Sequence, residues 1–128
     1  MANPGDIMKF SFQCMFILVG LALLAPASAH HSFAVFDFNT QIPFDGTVES
    51  LKFKDPHIEM TLNTIDEMGE KITIEFVEGA SANMLRHNGL TVEMIKPGTH
   101  IKAYGSPLIA DHTKYFLRKM VLDNGKEF

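Results

Sequence analysis

Residues 57–77 read HIEMTLNTIDEMGEKITIEFV, and their hydrophobic period is two. Ile58, Met60 and Leu62 alternate with His57, Glu59, Thr61 and Asn63; beyond Met68-Gly69 the pattern resumes with Ile72, Ile74 and Phe76. Successive side chains of a strand point to opposite faces, so this alternation predicts two half-buried strands. The glycine-containing turn between them predicts an antiparallel hairpin over one core.

Upstream of the hairpin, Asp55-Pro56 predicts a corner, and a long strand begins at Ile42. Phe44, Gly46 and Val48 share one face, and then the apolar phase moves to Leu51 and Phe53, as it does where a bulge inserts a residue, here near Ser50. Pro43 is tolerated close to the strand's start, where its missing N–H is not needed. Downstream, Ser81 is a helix cap and Asn88-Gly89 a stop, with Met84 and Leu85 expected to pack. Thr91 caps one further turn, ended by Pro97-Gly98. Thr99 to Gly105 alternates with Ile101 and Ala103 inward and His100, Lys102 and Tyr104 outward; Tyr115 to Leu122 supplies a fifth strand with both registers partly apolar. Three strands, a helix and two strands is the order of the five-stranded Greek-key barrel called the OB-fold. The predicted fold class is therefore all-β, an OB-fold-like barrel with one short helix between strands 3 and 4. An open α+β sheet with the same element order is the competing arrangement.

Residues 1–29 have the pattern of a secretory signal. Met8-Lys9-Phe10 is a basic head, Phe16 to Leu24 an apolar run, and Ala27-Ser28-Ala29 a small-x-small cut site. The head makes Met8 the expected true start, since Met1 to Asp6 is an acidic lead that a signal does not need. A spanning helix takes about 20 apolar residues; this run is shorter and is closed by Pro26, so no membrane span is expected after cleavage, and the location expected is the periplasm. The cut falls after Ala29, or alternatively after Ala27. Residues 30–128 then form one domain, expected to be a monomer, with an aromatic arm at 30–41 whose Phe33, Phe36 and Phe38 are too apolar to hang free. The single cysteine, Cys14, lies in the signal, so no disulfide staples the mature chain. Of the 11 Lys/Arg and 15 Asp/Glu only Lys9 and Asp6 precede the cut, which carries the net charge of −4 into the mature chain. Nucleic-acid binding normally leaves a basic stripe, and none is present.

Several short motifs, in order, resemble those of a family of small exported bacterial proteins of unknown function. They are Ala29 to Phe33 (Ala-His-His-Ser-Phe), Gly46-Thr47-Val48, Asp55-Pro56-His57, Leu85 with Arg86 and Gly89, and Lys96-Pro97-Gly98. The chain departs from the family pattern in having no Trp, Asp55 in place of Asn, and Thr99 where Asp is usual. The resemblance implies export and a compact β-rich module, and leaves the chemistry open.

The strongest chemical candidate is the amino end that cleavage creates. A new His30 offers an α-amine, with a pKa near 8, and its own imidazole; His31 adds a third nitrogen, and His57 a fourth if the arm folds back. Such a nitrogen-rich set suits Cu(II) first, then Zn(II) and Ni(II). Cutting after Ala27 instead places His30 third, where an amine, two backbone amides and an imidazole can enclose Cu(II) in a square plane. The competing explanation makes His30 and His31 a polar mature end only, and His57 a polar start to its strand. His100 is expected on a solvated face, His112 in a loop with Asp111, and His87 at a helix carboxyl end, where the dipole favours it. Glu75 and Glu78 are expected to form a structural ion pair with Arg86, an anion contact being the alternative, and Met60 and Met84 to fill the core. No His-Glu-x-x-His, nucleophile elbow or phosphate-cradling loop is present, so no enzyme activity and no catalytic residue is expected. The rival to metal binding is a metal-free module that contacts a periplasmic protein or glycan through the barrel face or the aromatic arm. Its expected sign is an exposed patch of residues such as Tyr104, Tyr115 and Phe36.

Overall fold

A computed structural model describes residues 33–128. The expected signal segment, His30 and His31 lie outside the described residues. Ser32–Phe128 forms one compact unit.

The alternating residues build the centre of that unit. β2 (Glu59–Ile65) and β3 (Lys71–Glu78) run antiparallel, with Met60 opposite Phe76 and Leu62 opposite Ile74. Those four side chains and Ile58 are all buried. Asp66 sets the turn between the strands: its carboxylate accepts from the N–H groups of Met68 and Glu70, and Gly69 takes a φ of 84°. Ile72, expected inside, is exposed: it lies opposite Thr64 at the turn end of the hairpin.

β1 (Ile42–Lys52) is long enough to serve two neighbours. Its first half pairs with β4 (His100–Leu108), from Ile42 opposite Gly105 to Thr47 opposite His100. Its second half pairs with β2, and the register slips between Val48 and Ser50, which makes Glu49 the bulged residue. The bulge rotates the strand so that Val48 before it and Leu51 after it both face the core. β5 (Asp111–Leu122) pairs antiparallel with β4 and parallel with β3, closing a barrel in the order β1-β2-β3-β5-β4. This is the OB-fold order, and closure rules out the open sheet.

The ambiguous fifth strand starts earlier than expected, at Asp111, and its register is set by burial of Tyr115, Leu117 and Met120. A register shift in the β4–β5 ladder between Tyr104 and Gly105 accounts for the mixed phase in the sequence. Beyond β5 the chain turns at Gly125, and Phe128 exchanges backbone hydrogen bonds with Met120 at 2.9 Å each way.

α1 (Ala82–His87) seals one end of the barrel. Ser81 Oγ accepts from Met84 N, and Gly89, with φ 85°, lets Leu90 N–H return to the Leu85 carbonyl at 2.9 Å. Ala82, Leu85 and Leu90 are buried, but Met84 is 53% exposed and is not core filler. One turn presents a single inward stripe, and Leu85 occupies it. Among the described residues no helix is long and apolar enough to cross a membrane.

Gly46 shows how tightly the barrel closes. A Cβ there would run into the Asn63 carbonyl oxygen and lie 3.1 Å from Leu62 Cγ. Backbone cannot yield as a side-chain tip can, so Gly46→Ala is expected to cost about 1–3 kcal/mol. In urea unfolding the midpoint falls while the m-value stays unchanged; an unaltered midpoint would show that β1 and β2 can move apart freely.

Candidate functional site

The corner between β1 and β2 is built on Asp55-Pro56, after which the chain turns straight into β2. Ile58 N–H donates to the Ala80 carbonyl at 3.1 Å, which ties this corner to the segment between β3 and α1. His57 is thereby laid against Glu78 and Gly79. Its Nδ1 lies 2.8 Å from the Gly79 carbonyl oxygen. A carbonyl only accepts, so Nδ1 carries the proton, and in the neutral ring Nε2 keeps its lone pair. Nε2 faces Glu78 Oε1 at 3.4 Å, with the His57 side chain 31% and that of Glu78 15% exposed. Gly79 suits this close approach, because a Cβ there would stand 3.2 Å from both Ile58 Cγ1 and Leu117 Cβ.

The aromatic arm reaches the same corner. Phe33, Phe36 and Phe38 each meet Phe116 of β5 edge-on, with centroids 5.8, 5.5 and 5.2 Å away. Phe36 is buried and bridges to Leu108, Asp37 N–H donates to the Pro107 carbonyl at 2.9 Å, and Ile109 N–H donates to Val35 at 2.8 Å. Arg118 stacks its guanidinium over the Phe38 ring at 5.0 Å and donates to Ser106 Oγ at 3.1 Å. So fastened, the arm sets the Phe33 ring against the His57 ring, edge-on with centroids 6.4 Å apart. The arm folds back onto His57, as a shared site requires. His30 and His31 lie outside the described residues, and among the described residues no three His, Cys, Asp or Glu side chains converge as a metal cluster.

Other expectations need correction. Glu78 turns to His57 and not to Arg86, which stacks over Phe53 at 4.9 Å and bonds to Asn83. Asp111 accepts from Thr113 and meets Lys114 at 3.5 Å; it makes no pair with His112. The patch of Tyr104, Tyr115 and Phe36 does not form, since Phe36 and Tyr115 are buried. Lys119 lies over the Tyr104 ring at 4.6 Å. The exposed apolar residues of this region are Phe33, Val35, Phe38 and Ile109.

A second feature is a groove of about 920 Å³ where β1 and β2 part beyond the Thr47–Asn63 pair. Phe44 and Ile72 line it, and Asp45 and His100 stand on its rim. His100 is more than a solvated residue: Nε2 donates to Asp45 Oδ1 and Nδ1 to Asp123 Oδ1, both at 2.8 Å. Two carboxylate acceptors need both ring nitrogens protonated, so the hydrogen bond to Asp123, then that to Asp45, raises the His100 pKa above its ordinary value. Both ring nitrogens are thus committed to carboxylate acceptors, and His100 has none to spare for a metal.

A raised folded-state pKa stabilises the fold fully below the unfolded value, about 6.5, and that stability is lost as pH rises through the folded pKa. The Tm deficit of His100→Ala is therefore expected to be larger near about pH 5.5 than near about pH 9, with a free-energy effect below about 1 kcal/mol because the side chains are exposed. Thermal melts at the two pH values check this; a deficit independent of pH would show that the clamp carries no charge.

No curated protein and no solved structure matches the chain. A family model does, over residues 18–114, three quarters of the chain and most of the barrel. The chain belongs to that family, a family of unknown function (DUF6152).

Proposed function

We propose that the protein is an exported, periplasmic binding module that takes up a divalent metal ion, copper first, at its mature amino end. The ligands are the α-amine and imidazole of His30, the imidazole of His31, and His57 Nε2. The observation that carries this reading is the contact between Phe33 and His57, with ring centroids 6.4 Å apart. A residue spans at most about 3.6 Å, so covalent geometry alone keeps the His31 Cα within about 7 Å of that of Phe33. The donor set is nitrogen-rich, as Cu(II) prefers. His57 supports it with an Nδ1 held 2.8 Å from the Gly79 carbonyl, the arrangement usual for a metal-binding imidazole. A cut after Ala27 would place His30 third and give copper a square-planar set from amine, amides and imidazole.

A second reading rests on the exposed apolar edge formed by Phe33, Val35, Phe38 and Ile109. In it the same arm contacts a periplasmic protein or glycan without metal.

Calorimetric titration of the purified mature protein with Cu(II) near neutral pH separates the two. Saturable uptake is expected, and replacing His30 and His31 by alanine lowers affinity by more than the about 10- to 100-fold lost with a group that merely orients a ligand. No uptake, or equal uptake by the double variant, would sink the metal reading and leave the apolar edge as the working surface.

A further inference from the structure

We infer that the groove between β1 and the β2–β3 hairpin takes up a short extended peptide in which apolar residues alternate with basic ones, added as a strand to the open edge of β1. This site is separate from the His57 corner and does not depend on a metal ion.

β1 has two partners, but neither follows it along its whole length. It pairs with β4 from Ile42 to Thr47 and with β2 from Thr47 to Lys52. Among the described residues, the stretch from Ile42 to Gly46 therefore has a neighbouring strand on one side only. Its other side opens on the groove of about 920 Å³, within the about 300–1,000 Å³ of ligand sites.

Neighbouring residues of a strand turn their backbone groups to opposite sides. Val48 donates its N–H to the Thr99 carbonyl at 2.9 Å and accepts from the Gly98 N–H at 2.8 Å, so it faces the β4 side. Counting back in twos through an unbroken register, Gly46 and Phe44 face β4 as well, and Asp45 and Pro43 face the groove. The Thr64 hydroxyl agrees, since it donates across the gap to the Asp45 carbonyl. The groove is thus offered the Asp45 N–H and the Pro43 carbonyl. A peptide residue laid alongside Phe44 can bond to both, donating to Pro43 and accepting from Asp45, as one parallel strand does with another. Pro43 has no N–H with which to extend the ladder, so the edge takes one brief segment and not a growing sheet.

The side chains around the edge set what the segment carries. Phe44 and Ile72 line the groove and give apolar residues a surface to cover. Asp45, Asp66 and Glu67 border it against Lys71 and His100, and His100 is already shared between Asp45 and Asp123. Carboxylates are in excess there, and a strand with basic residues on its outward face complements them. Since the side-chain period of a strand is two, alternating apolar and basic residues meet both faces at once.

The probe is acetyl-Lys-Val-Lys-Val-Lys-amide, added to the mature protein at low salt. At saturation the Asp45 amide is expected to exchange with solvent at least about tenfold more slowly, while that of Phe44, already within the β1–β4 ladder, is unchanged. The counterpart with Glu in place of Lys is expected to bind at least about tenfold more weakly. So is the form N-methylated at both valines, which keeps the charge and loses the donors. Glu67→Gln weakens the lysine peptide about two- to fivefold, as an exposed charge pair does. Equal binding of the lysine peptide and either counterpart would overturn the proposal, as would an Asp45 amide whose exchange the peptide leaves unaltered. A parent that sediments as a dimer with Asp45 already protected would overturn it in favour of a second copy on the same edge. Uptake of tryptamine in the groove, with none of the peptide, would overturn it in favour of a small organic cation.

Discussion

The parallel ladder between β3 and β5, with Phe76 opposite Tyr115 and Glu78 opposite Phe116, both closes the barrel and assembles the corner. Without it, β5 would be an edge strand, and Phe116 would have no fixed place beneath the phenylalanines of the arm. Parallel pairing demands a long crossover, and α1, the turn after it and β4 supply one. The helix is not ornamental in that path: Leu85 and Leu90 are both buried, so the crossover contributes apolar side chains to the core it encircles. No disulfide supports this closure, because the single cysteine is Cys14. Packing must supply the stability, and its centre is Phe76, which meets Phe44 and Tyr115 at 5.9 and 6.2 Å.

The local features were legible because local physics writes them. A period of two over residues 57–77 has one structural solution, a phase slip after Val48 has essentially one, and a serine followed by a short helix and Asn-Gly has one. The same rules misplace Met84, because a six-residue helix shows too little of a stripe for the sequence to say which of two adjacent apolar residues faces in. What sequence could not give is who meets whom across the barrel. His57 reaches Gly79 over 22 residues, and His100 reaches Asp45 over 55 and Asp123 over 23. Glu78 was within one helical segment of Arg86 in sequence, and nearness along the chain made that pairing the natural expectation. Closure overrode it by bringing the β1–β2 corner against the end of β3.

The two engaged histidines illustrate how environment divides one side chain into two chemistries. His100 lies between two acceptors, so each nitrogen is best used as a donor and the ring is driven towards its cationic form. A metal there would compete with two protons already well placed. His57 has one acceptor that cannot be anything else, a backbone carbonyl, and one carboxylate at a distance too long for a strong hydrogen bond. The first arrangement cross-links strands; the second ties the β1–β2 corner to the end of β3. Residue type alone separates none of this, which is why a count of six histidines is uninformative without the fold.

The arm also changes the energetics of any site at the amino end. A free terminal histidine pair must lose chain entropy each time it closes around an ion, and that loss weakens binding. Here the ordering is met by the fold: Phe36 is buried, Val35 and Asp37 are bonded to the β4–β5 side of the barrel, and Arg118 clasps Phe38. In the proposed metal site, Phe33 held on His57 would make the link to the preceding histidines a short tether, and a short tether raises effective concentration into the millimolar range or above. The aromatic cluster is therefore more than a cover for apolar surface. It makes neighbours of Phe33 and a sequence-distant imidazole within the fold itself, which is the physical content of preorganisation.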